Sequence, residues 1–299
     1  MITPPKLQFN DIIDIISPAN YIEEKELLNT IKIIENMGLK ARISPNCLGR
    51  HRRFSGTLEQ RVSDFRYALG NNDSKAILCS CGGYGSVQLL EHIADEITVH
   101  PKWLIGFSDI SSLHSLYLSK GIKSIHASMC FDMNKPPQDK PSNEYLRKIL
   151  FGENIQYEFK SHKENIKGSA SGRLVGGNMS VLSELIATPY NMFNRGDILF
   201  VEDINEKQYK IERMFYHLKY SGILDSIKGL IVGQFVNCDS RNRFLNIMEL
   251  VLNFFPEKRI PICFDAPMGH ISDNYPLILG SNVSLTIEDK VTKLKFESD

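Results

Sequence analysis

The sequence predicts an α/β protein of two domains: an amino-terminal domain built on a largely parallel sheet, and a carboxyl-terminal mixed, β-rich α+β domain. Three observations predict it. The chain has 299 residues, about twice an average domain. From residue 11 to about residue 150, short apolar runs alternate with helical patterns, as in strands joined by crossover helices. Beyond residue 172, apolar runs follow one another with few helices between them.

The elements follow in order. Asp11–Ile16 reads as the first strand, and a helix from about Glu23 to Met37 carries Leu27, Ile31 and Ile34 on one face, with Gly38 placed to end it. Thr57 and Gln60 form a capping-box pattern opening a helix that stops near Gly70. The strand Ala76–Ser80 leads into the glycine loop Gly82-Gly83-Tyr84-Gly85 and a helix with Val87, Leu90 and Ile93. A strand at 103–107 passes into a helix with Ile110, Leu113 and Leu116, followed by the strand Ser124–Ser128. Residues 134–143 hold three prolines and read as a surface loop, and the polar, Gly/Ser-rich run from Ser161 to Gly172 reads as a linker. The domains are therefore placed at 1–160 and 172–299, with 161–171 between them. In the second, Gly172–Val175, Ile198–Val201 and Gly229–Phe235 are expected as strands, and Tyr209–Ser221 and Arg243–Phe255 as helices.

Composition excludes several function classes. Lys plus Arg equals Asp plus Glu at 35 each, so no net field recruits nucleic acid or an anionic membrane, and a small-molecule partner is expected. The six cysteines lack any C-x-x-C pair and sit mostly in apolar runs, which reads as buried reduced thiols, although Cys79 and Cys81 flank a candidate site. The eight histidines show no zinc spacing, so no metal is expected. The amino terminus lacks a signal-peptide pattern and no apolar run approaches the ~20 residues of a bilayer span, so a cytoplasmic protein is expected.

The chemistry centres on Gly106-Phe107-Ser108-Asp109, where an apolar strand ends on Gly-x-Ser and enters a helix. Such a turn lifts a serine hydroxyl clear of the sheet and frees the next N–H to hold an oxyanion. The same residues also suit an ordinary helix N-cap, because Ile110 stands where the elbow motif has its second glycine. A serine nucleophile needs a base and a group to orient that base. Glu202 and Asp203 lie at the end of an apolar strand, and His270 follows a glycine; each is equally readable as a solvated strand end or a loop histidine. His114 and His126 compete with His270 as base, and the glycine loop also loosely resembles a phosphate cradle, without a complete G-x-G-x-x-G.

Taken together, Cys81-Gly82-Gly83-Tyr84-Gly85, Ile105–Ile110, Leu199–Ile204 and Gly269-His270, supported by Ile16–Ala19 and Gly172–Asn178, resemble the LD-carboxypeptidase family of serine peptidases. That family includes murein tetrapeptide carboxypeptidases and microcin C self-immunity peptidases. The resemblance implies an amino-terminal Rossmann-like domain, a carboxyl-terminal β-rich domain and an active site in the cleft between them. It implies Ser108 as nucleophile, His270 as general base and acid, Glu202 as the carboxylate orienting the imidazole, and the N–H groups of Asp109 and Gly82 or Gly83 as the oxyanion hole. It further implies a cofactor-free, homodimeric hydrolase that removes the terminal D-alanine of murein tetrapeptides. Tyr84, His126, Lys210 and Arg213, together with Arg173, are the candidates for substrate contact. Many relatives carry Arg before the Gly-Gly pair where this chain has Cys81, which leaves the carboxylate anchor open. The alternatives are a microcin-type cleavage of an amide to a nucleotide-like moiety, and a non-catalytic nucleotide or sugar-phosphate binding protein.

Overall fold

The structure is a computed structural model that describes residues 1–137, 139–238, 246–257 and 259–297. It contains the strands β1 (Ile12–Ile16), β2 (Lys40–Ile43), β3 (Ser74–Cys79), β4 (Trp103–Gly106), β5 (Ser124–His126), β6 (Gln156–Lys160) and β7 (Gly168–Asn178). There follow β8 (Ile198–Ile204), β9 (Gly229–Val236), β10 (Ile262–Cys263), β11 (Leu277–Leu279), β12 (Asn282–Ile287) and β13 (Val291–Phe296). The chain divides into two compact units, one of Met1–Glu153 with Tyr275–Ile278, the other of Asn154–Asn274 with Leu279–Asp299.

The first unit is the parallel α/β domain expected. Its sheet runs β11-β5-β4-β3-β1-β2, and the pairings among β1 to β5 are all parallel. Ile13, Ile15, Ile77, Leu78, Leu104, Ile105 and Ile125 are all buried, as in a sheet covered on both faces. The helix Leu58–Gly70 opens with the full capping box of Thr57 and Gln60, which satisfies first-turn N–H groups that have no intrahelical partner. Strand order reverses between β1 and β3, and ligands of open α/β sheets gather beyond the carboxyl ends at such a point.

Two expectations need correction. The loop expected at 134–143 gives way at Pro141 to a helix, Pro141–Leu150, that buries Leu146, Ile149 and Leu150. Proline in the first helical turn lacks only an N–H that would have no partner there anyway, so it opens this helix. The linker expected at 161–171 is also partly strand, and the first unit ends at Glu153 before β6, which pairs with β13. Gly168–Arg173 of β7 pairs antiparallel with β12, and Ser169 and Ser171 meet Thr286 and Ser284 across the strands. Small hydroxylic residues that read as a linker in sequence are cross-strand partners here.

The second unit carries a seven-stranded sheet, β10-β9-β8-β7-β12-β13-β6. Its β7, β8, β9 and β10 are parallel to one another, and β12, β13 and β6 add antiparallel. The helix Gln208–Tyr220 buries Ile211, Phe215 and Leu218. A helix Ile247–Leu252, capped by Asn246 with Glu249, lies within the one expected at Arg243–Phe255, of which 243–245 fall outside the described residues. Among the described residues no helix is long and apolar enough to cross a membrane.

Candidate active site

In the first unit, the chain leaves β4 through extended Phe107 and turns at Ser108, whose φ is +62°. That left-handed conformation costs an L-residue with a Cβ roughly 1–2 kcal/mol, and a serine held there matches the strained turn of a nucleophile elbow. The reading of Ser108 as an N-cap is corrected: the cap position of the short turn Ser108–Ile110 is Phe107, and Ser108 lies inside the turn. Gly106 permits the turn, because a Cβ there would stand 3.0 Å from Ile110 and 3.2 Å from Cys79.

The glycine loop is fastened to this turn. Asp109 accepts a bond of 2.9 Å from the Ser86 N–H, and the Ser86 hydroxyl donates to the Asp109 carbonyl at 2.6 Å. Burial pushes the Asp109 carboxyl up, with those Ser86 bonds opposing. A Cβ on Gly82 would stand 3.2 Å from Ser108 Cβ and 3.3 Å from both Ser108 Oγ and the Asp109 nitrogen. Gly82 therefore leaves open the space beside the serine hydroxyl. Gly83 has φ +101° and packs on the Asn20 side chain, where a Cβ would collide. Tyr84 is exposed on the same loop, its ring 6.1 Å from that of Phe54.

Arg61 ties the glycine loop to the loop that follows β1 and was not anticipated from sequence. It is 3% exposed and donates to the carbonyls of Pro18 and Gly85 at 2.9 and 3.0 Å, and to Gln88 Oε1 at 2.6 Å. A readable signal existed: Arg61 shares a helix face with Phe65 and Ala68, both buried, where a charge is out of place.

The competing histidines are both fully buried. His114 Nε2 donates to the Gly106 carbonyl at 2.9 Å and its Nδ1 faces Ser124 Oγ at 2.9 Å, while burial pushes its pKa down to about 4. It is a core histidine held neutral. Its contribution to stability is complete above the unfolded value near 6.5 and is lost as pH falls toward 4. Urea unfolding is expected to lose about 3 kcal/mol between pH 7 and 4 through this group, and His114→Gln to remove that part of the decline. His126, a substrate-contact candidate, is 0% exposed with its ring 5.7 Å from Phe107, so it lies in the core rather than at a surface. Cys79 and Cys81 are not activated: burial raises both thiols, that of Cys81 to about 11.

In the second unit, Glu202 and Asp203 end β8 at 0% and 1% exposure, so neither is a solvated strand end. His270 Nδ1 lies 2.6 Å from Glu202 Oε2, and Asn178 Nδ2 donates to Glu202 Oε1 at 3.3 Å. A carboxylate accepts, so Nδ1 carries the proton and Nε2 is left basic. Asp203 accepts from Asn178 Nδ2, Ser180 N and Ile204 N at 3.1, 2.9 and 2.8 Å, and burial, then Glu202, pushes it up to about 6. Gly269, at φ +122°, lets the histidine loop close on the acid, since a Cβ would stand 3.0 Å from Glu202 Cβ. Asn178, which holds both acids, lies in the Gly176-Gly177-Asn178 run without having been singled out in sequence.

The basic candidates of this unit are largely committed. Arg173 forms a two-pronged pair with Asp197 at 3.0 and 2.8 Å, Lys210 pairs with Glu206 at 3.1 Å, and Arg213 stacks 5.1 Å from the Tyr209 ring centroid.

Comparison with known proteins adds to this geometry. The family model of the LD-carboxypeptidase N-terminal domain matches residues 13–127, and that of the LD-carboxypeptidase C-terminal domain matches residues 171–285. A putative carboxypeptidase of Synechocystis is 32% identical over 94% of this chain and 93% of its own. A probable murein peptide carboxypeptidase of Bacillus subtilis is 28% identical, covering 98% of this chain and 94% of its own. The microcin C7 self-immunity protein of Escherichia coli is 25% identical over 92% of this chain and 89% of its own. Among solved structures, a muramoyltetrapeptide carboxypeptidase from Oxalobacter formigenes superposes with a TM-score of 0.88 at 25% identity, covering 96% of this chain and 99% of that one.

Proposed function

Because the chain belongs to the LD-carboxypeptidase family, we propose that it is a serine peptidase that hydrolyses the bond between an L-centre and the terminal D-alanine of murein tetrapeptides. The observation that carries the serine mechanism is the buried Glu202 at 2.6 Å from His270, together with Ser108 on a strained turn. In this mechanism the Ser108 hydroxyl attacks the scissile carbonyl as His270 Nε2 takes its proton. The oxyanion is met by the N–H groups of Asp109 and of Gly82 or Gly83. His270 then returns the proton to the departing amine of D-alanine, and water resolves the acyl-enzyme by the same route. Glu202 holds the tautomer and offsets the imidazolium charge. The reaction requires the two units to bring Ser108 and His270 within hydrogen-bond reach.

Incubation with a murein tetrapeptide is expected to release tripeptide and free D-alanine, read by mass spectrometry, with a chelator leaving the rate unchanged. Loss of activity on chelation would overturn the serine mechanism. Gly82→Ala is expected to lower kcat/KM on the order of 10²–10³-fold, since a methyl there crowds Ser108 Oγ and the Asp109 N–H. A change below twofold would remove the glycine loop from the site.

The microcin-type reading, supported by the self-immunity relative, calls for a stacking surface for a base. The sole tryptophan does not supply one: Trp103 is 4% exposed and donates to the Pro5 carbonyl at 3.1 Å. Turnover of the two substrate classes side by side decides between them. A cytoplasmic homodimer is part of the proposal, and light scattering at twice the chain mass is its check.

A further inference from the structure

Four consecutive basic residues, Arg50-His51-Arg52-Arg53, stand exposed, a local concentration of positive charge in a chain of no net formal charge. They occupy the loop between β2 and the helix Leu58–Gly70, and this loop is held firmly. The His51 N–H donates to the Phe54 carbonyl at 2.9 Å and Phe54 N–H returns the bond at 3.0 Å, closing a tight hairpin with Arg52 at φ +58°. Tyr21 N–H donates to the Arg53 carbonyl at 3.4 Å and Ser55 N–H to the Ala19 carbonyl at 3.2 Å, binding the hairpin to the loop that follows β1.

The guanidinium groups are held by neutral partners. Arg50 lies 3.9 Å from the Tyr21 ring centroid. Arg53 Nε donates to Asn20 Oδ1 at 3.4 Å, and its Cζ lies 5.7 Å from the Tyr84 ring centroid. Among the described residues no carboxylate forms an ion pair with Arg50, Arg52 or Arg53. Arginines stacked on aromatic faces, with forks not committed to an acid, are preorganised receptors for carboxylate or phosphate.

Their position relates them to the serine. Gly82 adjoins Ser108 Oγ, Gly83 packs on the Asn20 side chain, and Asn20 holds Arg53. The leaving alanine's carboxylate lies only three bonds from the scissile carbonyl carbon, inside this series of residues. A carboxylate at the end of a long side chain on the acyl side reaches further.

We propose that Arg53, with Arg50, is a specificity-determining subsite for a second carboxylate on the substrate, carried by the side chain of the residue that donates the acyl group. This rests on the carboxypeptidase reading above. It favours a tetrapeptide whose third residue is diaminopimelate, which ends in a carboxylate beside its ammonium, over one with lysine, which ends in an ammonium alone and is repelled.

The test compares kcat/KM for two tetrapeptides that differ only in diaminopimelate or lysine at the third position. The wild type is expected to favour diaminopimelate, and Arg53→Gln to lower that ratio about ten- to a hundredfold, mainly through KM, as expected for one charge-assisted hydrogen bond. Arg53→Lys is expected to restore part of it, and amidating the side-chain carboxylate to reproduce the Gln variant. Because the ratio compares two substrates on one protein, loss of folded material cancels. A wild type without preference, or a ratio unmoved in Arg53→Gln, overturns the subsite while leaving the peptidase reading intact. Failure to turn over either peptide overturns that reading itself, and the subsite with it.

Discussion

Ser108→Ala is expected to lower turnover of a murein tetrapeptide on the order of 10⁶-fold, with binding retained, because removing the nucleophile of a triad leaves only the oxyanion donors and binding contacts. Mass-spectrometric release of D-alanine is the measurement, and activity persisting in this variant would refute the assignment. The backbone supplies a second, independent expectation. Ser108 sits at φ +62°, where alanine is strained and glycine is not. Ser108→Gly is therefore expected to be more stable than Ser108→Ala by about 1 kcal/mol in urea unfolding. Both variants lack the hydroxyl, so their difference isolates the turn. An alanine variant as stable as the glycine one would show that position 108 stores no strain, and the elbow would lose its physical basis.

Glu202→Gln is expected to lower kcat about 10⁴-fold with little change in KM, as when the acid that orients a triad histidine becomes an amide. The side chain is fully buried and Gln has the same shape, so the fold should survive. The amide can still meet the His270 ring, but it neither guarantees the Nδ1–H tautomer nor offsets the imidazolium. Asp203 provides a readout separate from activity. Its carboxyl is pushed up to about 6 by burial and by Glu202, so the neutral amide should bring it down, as followed by carboxyl NMR titration. A variant that keeps activity within tenfold would exclude Glu202 from the mechanism.

Local patterns made much of the first unit legible. The Thr57 capping box, the periodic helix Glu24–Asn36 and the apolar strands β1, β3, β4 and β5 all lie where the sequence places them, whereas β2, with only Ala41 and Ile43 apolar, carries no such run. Their signals are carried within a turn or two of chain. Misreadings occurred where the partner is distant in sequence. Ser169 and Ser171 look like linker until β12, more than a hundred residues on, supplies Thr286 and Ser284. His114 and His126 looked like possible bases because sequence spacing does not report burial.

The residue types of the candidate site, and the family they resemble, were readable from the sequence alone, since Gly-x-Ser, a strand-terminal Glu-Asp and Gly-His are short contiguous motifs. The resemblance already names Glu202 as the acid; only the tertiary structure decided that it meets His270 Nδ1 at 2.6 Å while Asp203 turns to Asn178 and Ser180, and that Gly269 leaves room for that approach. It also decided that Ser108 bends through a left-handed turn and that Arg61, from the helix Leu58–Gly70, joins the loop after β1 to the glycine loop through the Pro18 and Gly85 carbonyls. The physical reason is that a motif specifies chemistry, whereas burial, the face on which a side chain emerges and the closing of a hydrogen bond are properties of elements packed together.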